Sequence, residues 1–170
     1  MYFFEQEDKK RKQPFLINDR GESITYEQLD AFCEKMGAHM EGRTLVFLLC
    51  QNTIGSVLGY FSCLRKRTVP LLLDAEMDYD MIHNMIEIYH PDYIYAPQER
   101  LEWKQEGETV FAEYGYYLQK RDQKQKPILH EDLALLLTTS GSTGSPKLVR
   151  QSYQNIQANA QSIAEYLELG

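Results

Sequence analysis

The run Thr139-Ser140-Gly141-Ser142-Thr143-Gly144-Ser145-Pro146-Lys147 is the part of this 170-residue chain best suited to chemistry, and that chemistry is the holding of phosphate. Gly141 and Gly144 let the backbone turn tightly and approach a ligand closely. Consecutive N–H groups in such a loop can form a concave nest for an anion. The hydroxyls of Ser140, Ser142 and Thr143 add neutral donors, and Lys147 adds a point charge suited to phosphate oxygens. The pattern is not a Walker A loop, which needs Gly-x-x-x-x-Gly-Lys-Ser/Thr opening a helix. Here Pro146 stands between the loop and its lysine. A flexible Gly/Ser linker is the bland alternative. It is disfavoured because the loop follows a buried-looking apolar run and leaves through an ordered Pro-Lys exit. For Lys147 alone, the plainer reading is a solvated lysine after a turn.

Other reactive side chains form no comparable set. Asp74, Asp78 and Asp80 look like a metal cluster at a glance, but Asp74 ends a strand pattern and the other two suit a helix start. His39, His83, His90 and His130 fall in different elements. Cys33, Cys50 and Cys63 are an odd set without a close pair, which suits neither a disulfide framework nor a zinc site. Buried free thiols in a reducing cytoplasm are the expectation. No metal site and no catalytic residue is assigned.

The elements that must position the loop are legible from periodicity. Leu133 to Thr138 reads as the strand that delivers it, and Lys147-Leu148-Val149 as a short strand leading back out. Ser152 then suits the cap of a last helix with Ile156, Ala160, Ile163 and Leu167 facing the core. Upstream, Asn18-Asp19-Arg20-Gly21 between two short apolar runs predicts a hairpin. Thr25 and Gln28 suit a capping box for a helix carrying Leu29, Phe32, Cys33, Met36 and Met40, ended by Gly42. Thr44–Cys50 is a continuous apolar run, the pattern of a strand buried on both faces. Asn52 or Thr53 can cap the next helix, whose stripe is Ile54, Val57, Leu58 and Phe61. Gly55 and Gly59, one turn apart in it, predict close packing on a sheet. Val69 to Leu73 is a second strand. Met81, Ile82, Met85, Ile86 and Tyr89 mark a helix stopped by Pro91, and Tyr93-Ile94-Tyr95 is a third strand. Strand and helix alternate with short connections, the pattern of an α/β fold with a parallel-rich sheet and flanking helices. The polar stretch 98–126 breaks that pattern and reads as an insertion of short edge strands and exposed loops around Trp103 and Tyr114-Gly115-Tyr116-Tyr117-Leu118.

Bulk properties set outer bounds. The length fits one domain with a sizeable core. Apolar content of 43% and charged content of 25% are ordinary for a globular protein. A net charge of −7 argues against a nucleic-acid partner. Lys9-Lys10-Arg11-Lys12 follows Glu5, Glu7 and Asp8, so a solvated face is expected there. The N-terminus lacks a secretory layout, and no apolar run approaches the ~20 residues of a membrane span. A cytoplasmic location is expected.

The loop also resembles the AMP-binding signature of the adenylate-forming enzymes, which comprise acyl-CoA synthetases, aryl-acid ligases and the adenylation domains of peptide synthetases. Every diagnostic position of that signature matches. Ser23-Ile24-Thr25-Tyr26-Glu27-Gln28-Leu29 resembles the family's opening (L/I)-T-Y-x-x-L. Leu64 to Asp74 resembles its L-K-A-G-x-x-x-V-P-L-D, and Ser152-Tyr153-Gln154-Asn155-Ile156 its T-H-x-N-L. Arg67 stands where a glycine is usual, Leu148 where glycine is common, and Tyr153 where histidine is frequent.

The resemblance implies that residues 1–170 are the N-terminal part of an AMP-binding domain. Such an enzyme activates a carboxylic acid with ATP and Mg²⁺, giving an acyl-adenylate and pyrophosphate. It then passes the acyl group to the thiol of CoA or of a phosphopantetheine carrier. By the same resemblance, Thr139, Ser140, Gly141, Ser142, Thr143, Gly144 and Lys147 bind the β- and γ-phosphates. Lys147 is not at the position of the family's catalytic lysine. The sequence contains no Tyr-Gly-x-Thr-Glu-like segment and no acyl pocket or lysine-bearing C-terminal domain. The chain alone is therefore expected to be inactive, with a dimer through a truncation-exposed face as one consequence. The alternative is a complete small nucleotide- or phosphate-binding or scaffold module without adenylation activity.

Overall fold

The computed structural model describes residues 2–5, 11–105, 107–122, 125–139 and 147–168. Lys9 and Lys10 of the basic cluster, and Glu106, Gln123 and Lys124 of the polar stretch, lie outside the described residues.

The alternating pattern produces two layers of helix on one central sheet. A small hairpin comes first, with β1 (Pro14–Ile17) antiparallel to β2 (Ser23–Thr25). Then follow α1 (Tyr26–Ala38), β3 (Leu45–Cys50), α2 (Ile54–Lys66), β4 (Val69–Asp74), α3 (Tyr79–Tyr89) and β5 (Tyr93–Pro97). Next come β6 (Glu108–Glu113), β7 (Tyr116–Lys120), β8 (Leu133–Thr138), β9 (Leu148–Ser152) and α4 (Tyr153–Tyr166). The main sheet has the order β6-β7-β5-β3-β4-β8-β9. Its four inner strands, β5, β3, β4 and β8, are parallel, and an antiparallel strand flanks them on each side.

The strands alternate between two cores, as a sheet covered on both faces requires. Phe47, Leu49, Leu71, Leu73, Ile94 and Ala96 face Ile82, Met85 and Ile86 of α3. Val46, Leu48, Tyr93, Tyr95 and Leu118 face Leu29, Phe32 and Met36 of α1 and Leu58 and Cys63 of α2. The connection from β3 to β4 and the one from β4 back past β3 to β5 run in opposite directions, which puts α2 and α3 on opposite faces.

The caps follow the sequence closely. Thr25 and Gln28 form a reciprocal capping box, and Thr53 and Ser152 cap α2 and α4. Gly55 and Gly59 face the sheet. A Cβ on Gly59 would lie 2.6 Å from Cδ1 of Tyr95, and one on Gly55 would lie 2.7 Å from Cδ2 of Tyr116. The Tyr95 hydroxyl donates to the Gly55 carbonyl at 2.9 Å. The glycines therefore make room for two tyrosine rings between helix and sheet.

Several expectations need correction. The first helix ends at Ala38, capped by His39, before Gly42 is reached. The buried face of α2 is the small-residue face around Gly55, Ser56, Leu58, Gly59, Ser62 and Cys63. Ile54, Val57 and Phe61 sit at its margin. Met81 is exposed, because α3 turns Ile82, Met85 and Ile86 inward, with Tyr89 half-buried against the same core. Of the two strands in 98–126 only β6 is at the sheet edge; β7 lies inside it, and Trp103, Tyr116 and Tyr117 are buried, in keeping with a packing role for these aromatics. Cys33 and Cys63 are buried, but Cys50 is only half-buried. The largest departure is α4. Only Tyr153 in it is buried, while Ile163, Tyr166 and Leu167 are exposed, Tyr166 at 87%.

Candidate functional site

The apolar run Leu133–Thr138 becomes β8, an inner parallel strand whose carboxyl end opens into the loop. The chain returns antiparallel along β9, with Thr138 opposite Leu148 and Leu137 opposite Val149. Thr139 and Lys147 close the hairpin. The Thr139 N–H donates to the Lys147 carbonyl at 3.0 Å, and its Oγ1 donates to the same oxygen at 3.2 Å. Both residues are exposed. The other expected phosphate ligands, Ser140, Gly141, Ser142, Thr143 and Gly144, lie outside the described residues, as do Ser145 and Pro146. The structure thus brings the two ends of the candidate loop together, and leaves the Lys147 ammonium without an ion pair among the described residues.

The hairpin opens beside a groove that the sequence reading did not pick out. Cys50, Gln51, Asn52, Leu72, Leu73, Asp74 and Glu76 line an open space of about 580 Å³ at the carboxyl ends of β3 and β4. Registers place it next to the loop. Cys50 pairs with Asp74, and Leu72 pairs with both Leu48 and Leu137, so Asp74 and Thr139 end adjacent strands. Strand spacing then sets their backbones roughly 5 Å apart. The signal was topological. Open α/β sheets collect ligands where neighbouring connections leave in opposite directions, and β3 and β4 are such a pair.

The groove has few rigid polar contacts. Asp74 Oδ1 accepts from the Glu76 N–H at 2.9 Å, and Gln51 Nε2 donates to Glu99 Oε1 at 3.0 Å. Burial pushes the Cys50 thiol up to about 11, so the groove's sulfur is a neutral wall rather than a nucleophile at neutral pH. Among the described residues no group of three or more His, Cys, Asp and Glu side chains is arranged to hold a metal.

The model of the AMP-binding enzyme family matches residues 3–169. The chain belongs to that family. Among curated relatives of this AMP-binding chain is gramicidin S synthase 2 of Brevibacillus brevis, 21% identical over 163 residues, covering 90% of this chain and 4% of the relative. O-succinylbenzoate Coenzyme A synthetase (MenE) from Bacillus subtilis, solved in complex with AMP, is 21% identical with a TM-score of 0.69. That match covers 95% of this chain and 44% of the other. The same enzyme in complex with ATP and magnesium ion matches at a TM-score of 0.64 and 20% identity, with 88% and 42% covered. Apo MatB from Rhodopseudomonas palustris matches at 0.73 and 16% identity, with 97% and 36% covered. At these identities the solved structures establish a shared α/β fold. The AMP-binding chain spans less than half the length of each of these relatives.

Among the described residues no helix is long and apolar enough to cross a membrane.

Proposed function

We propose that this chain is the N-terminal part of an ATP-dependent ligase that activates a carboxylic acid as its acyl-adenylate. Residues 1–170 form one part of its AMP-binding domain, with 98–126 inserted before the loop strand. Thr139, Ser140, Gly141, Ser142, Thr143, Gly144 and Lys147 bind the β- and γ-phosphates. The observation that carries this reading is the closed base of the 139–147 hairpin, set at the carboxyl edge of the sheet of an AMP-binding family member. Backbone N–H groups and hydroxyls directed at a leaving pyrophosphate would stabilise its charge, and the Thr139–Lys147 bonds hold the two ends of that run together. ATP supplies the electrophilic phosphorus, and Mg²⁺ neutralises phosphate charge. Thr139 and Lys147 orient the triphosphate; neither makes or breaks a covalent bond.

In the complete enzyme the partners are a carboxylic acid and the thiol of CoA or of a carrier protein, and the location is cytoplasmic. The MenE fold neighbour, a Coenzyme A synthetase by name, supports the CoA class of acceptor. The exposed stripe of Ile163, Tyr166 and Leu167 on α4 supports the reading as a partial domain, since an apolar helix face is normally covered. The isolated chain would then lack adenylation activity and self-associate through that stripe.

Calorimetric titration of ATP and of pyrophosphate into the wild-type chain and Lys147→Ala tests the loop. The expected result is binding to the wild type and a loss of about tenfold or more in the variant, as for removal of a charge-assisted contact. Equal affinities would remove Lys147 from the site, and no binding by either protein would sink the phosphate reading.

A further inference from the structure

We propose that Arg67, Tyr153 and the N-terminal turn Phe3–Glu5 form a clasp that fixes the register of β9 on β8, and so the position at which Lys147 leaves the loop. Its bearing on phosphate binding rests on the reading above; its bearing on the hairpin does not.

The return arm needs such a hold. β9 is the outermost strand and pairs on one side only, with β8. The ladder between them is irregular between Leu133 and Leu135, at the end far from the loop. A one-residue slip in an antiparallel pair turns every side chain to the other face. Here it would also move Lys147 by about one strand step, ~3.4 Å. Directly after that irregular end stands Tyr153, the single buried residue of α4. It packs with Phe4, Leu64 and Ala134. What holds Tyr153 therefore holds the far end of β9.

Two rings, those of Tyr2 and Phe4, and one guanidinium hold it. The Arg67 guanidinium carbon is 4.3 Å from the centroid of Tyr153, 5.1 Å from that of Tyr2 and 5.7 Å from that of Phe4. All three lie within cation–π range. Glu5 Oε1 pairs with Arg67 Nη2 at 2.5 Å. The Phe3 N–H donates to Gln157 Oε1 on α4 at 2.7 Å. Behind Arg67, the Arg43 Nη1 donates to the carbonyls of Arg67 at 3.2 Å and Leu133 at 3.1 Å, tying the end of α2 to the start of β8. The clasp so connects α2, β8, α4 and the N-terminus at one point.

Arg67 caps α2 in the left-handed region at φ 60°, where glycine is favoured. Two departures from the family pattern, arginine for glycine and tyrosine for histidine, meet in this one contact. Arg67 acts through Tyr153 and touches no reacting atom, so it is a positioning residue.

Amide hydrogen exchange of the whole chain, read by mass spectrometry, tests this with Arg67→Gly, Tyr153→His and the double variant. Glycine suits the left-handed backbone, so Arg67→Gly should fold. Exchange in 148–153 should rise about fivefold or more in each variant, with the buried strand 45–50 unchanged, because local opening is distinct from global unfolding. The double variant should be no worse than the worse single, since both remove one contact. Unchanged exchange at 148–153, or an equal rise at 45–50, would overturn the clasp. Failure of ATP to bind the wild type would count against the phosphate reading and leave the exchange result to decide the clasp.

Discussion

The guanidinium of Arg67 lies over the ring of Tyr153 at 4.3 Å, joining the end of α2 to the start of α4 across 86 positions of sequence. The same arginine has a left-handed backbone, and these two facts can be separated by mutation. Arg67→Gly and Arg67→Ala both remove the cation–π contact, but only alanine must hold φ near 60°. Glycine should be the more stable variant by about 1 kcal/mol in urea unfolding. Equal midpoints would mean that the turn relaxes once the side chain is gone.

Gly59→Ala places a methyl group against the Tyr95 ring, at under 3.0 Å from three ring carbons. Neither partner is free to move, since Tyr95 is fully buried in β5 and bonded to Gly55. A loss of about 1–3 kcal/mol is expected, as for overpacking of a core. Shrinking Tyr95 to valine in the same chain should recover part of it, because the two sites share the contact. Additive losses in a double-mutant cycle would show that the helix simply shifts outward.

Acid should weaken the clasp. The Glu5 carboxyl is held below its ordinary range, first by the Tyr2 N–H donating to Oε2 at 3.0 Å and then by Arg67. A carboxyl with a lowered folded-state value contributes stability above its unfolded value, near pH 4.3, and loses it as pH falls through the lowered one. The difference between wild type and Glu5→Gln should therefore be full at neutral pH and vanish in acid. A difference that stays constant with pH would assign the effect to packing.

Alkali should weaken the core. Burial raises the thiol of Cys63 to about 12 and that of Cys50 to about 11, and it also raises Cys33 and the Tyr95 and Tyr117 hydroxyls. The unfolded chain ionises these groups first, so stability should fall as pH rises above roughly 8.5, the free thiol value. At pH 8 the Cys50 thiolate fraction is then on the order of a thousandth, and thiol labelling of the folded chain should be slow. Fast labelling of one thiol at pH 8 would contradict this.

Most of the frame was legible because its signals are local. Continuous apolar runs marked β3, β4 and β8, and Thr25, Thr53 and Ser152 announced their caps. Gly55 and Gly59 signalled close packing, although the rings that fill the space come from β5 and β7, far along the chain. What was not legible depended on distant partners. The stripe on α4 is a true helical stripe, but nothing among the described residues packs over Ile163 and Leu167, and periodicity cannot tell a covered face from a bare one. Gly42 looked like a helix stop, yet the chain turns earlier because Met40 is drawn into the core. The groove at Cys50 and Asp74 exists only once β3 and β4 lie side by side.

The position of β8 bears on synthesis as well as on binding. Residues 45–120 already supply β6, β7, β5, β3 and β4 in neighbouring places, so five strands can assemble while β4 still offers an open edge. The loop hairpin is made after them and covers that edge, and only then does Tyr153 follow to meet Tyr2 and Phe4. The Phe3–Glu5 turn and Tyr153 thus meet only after every strand of the sheet between them has been made.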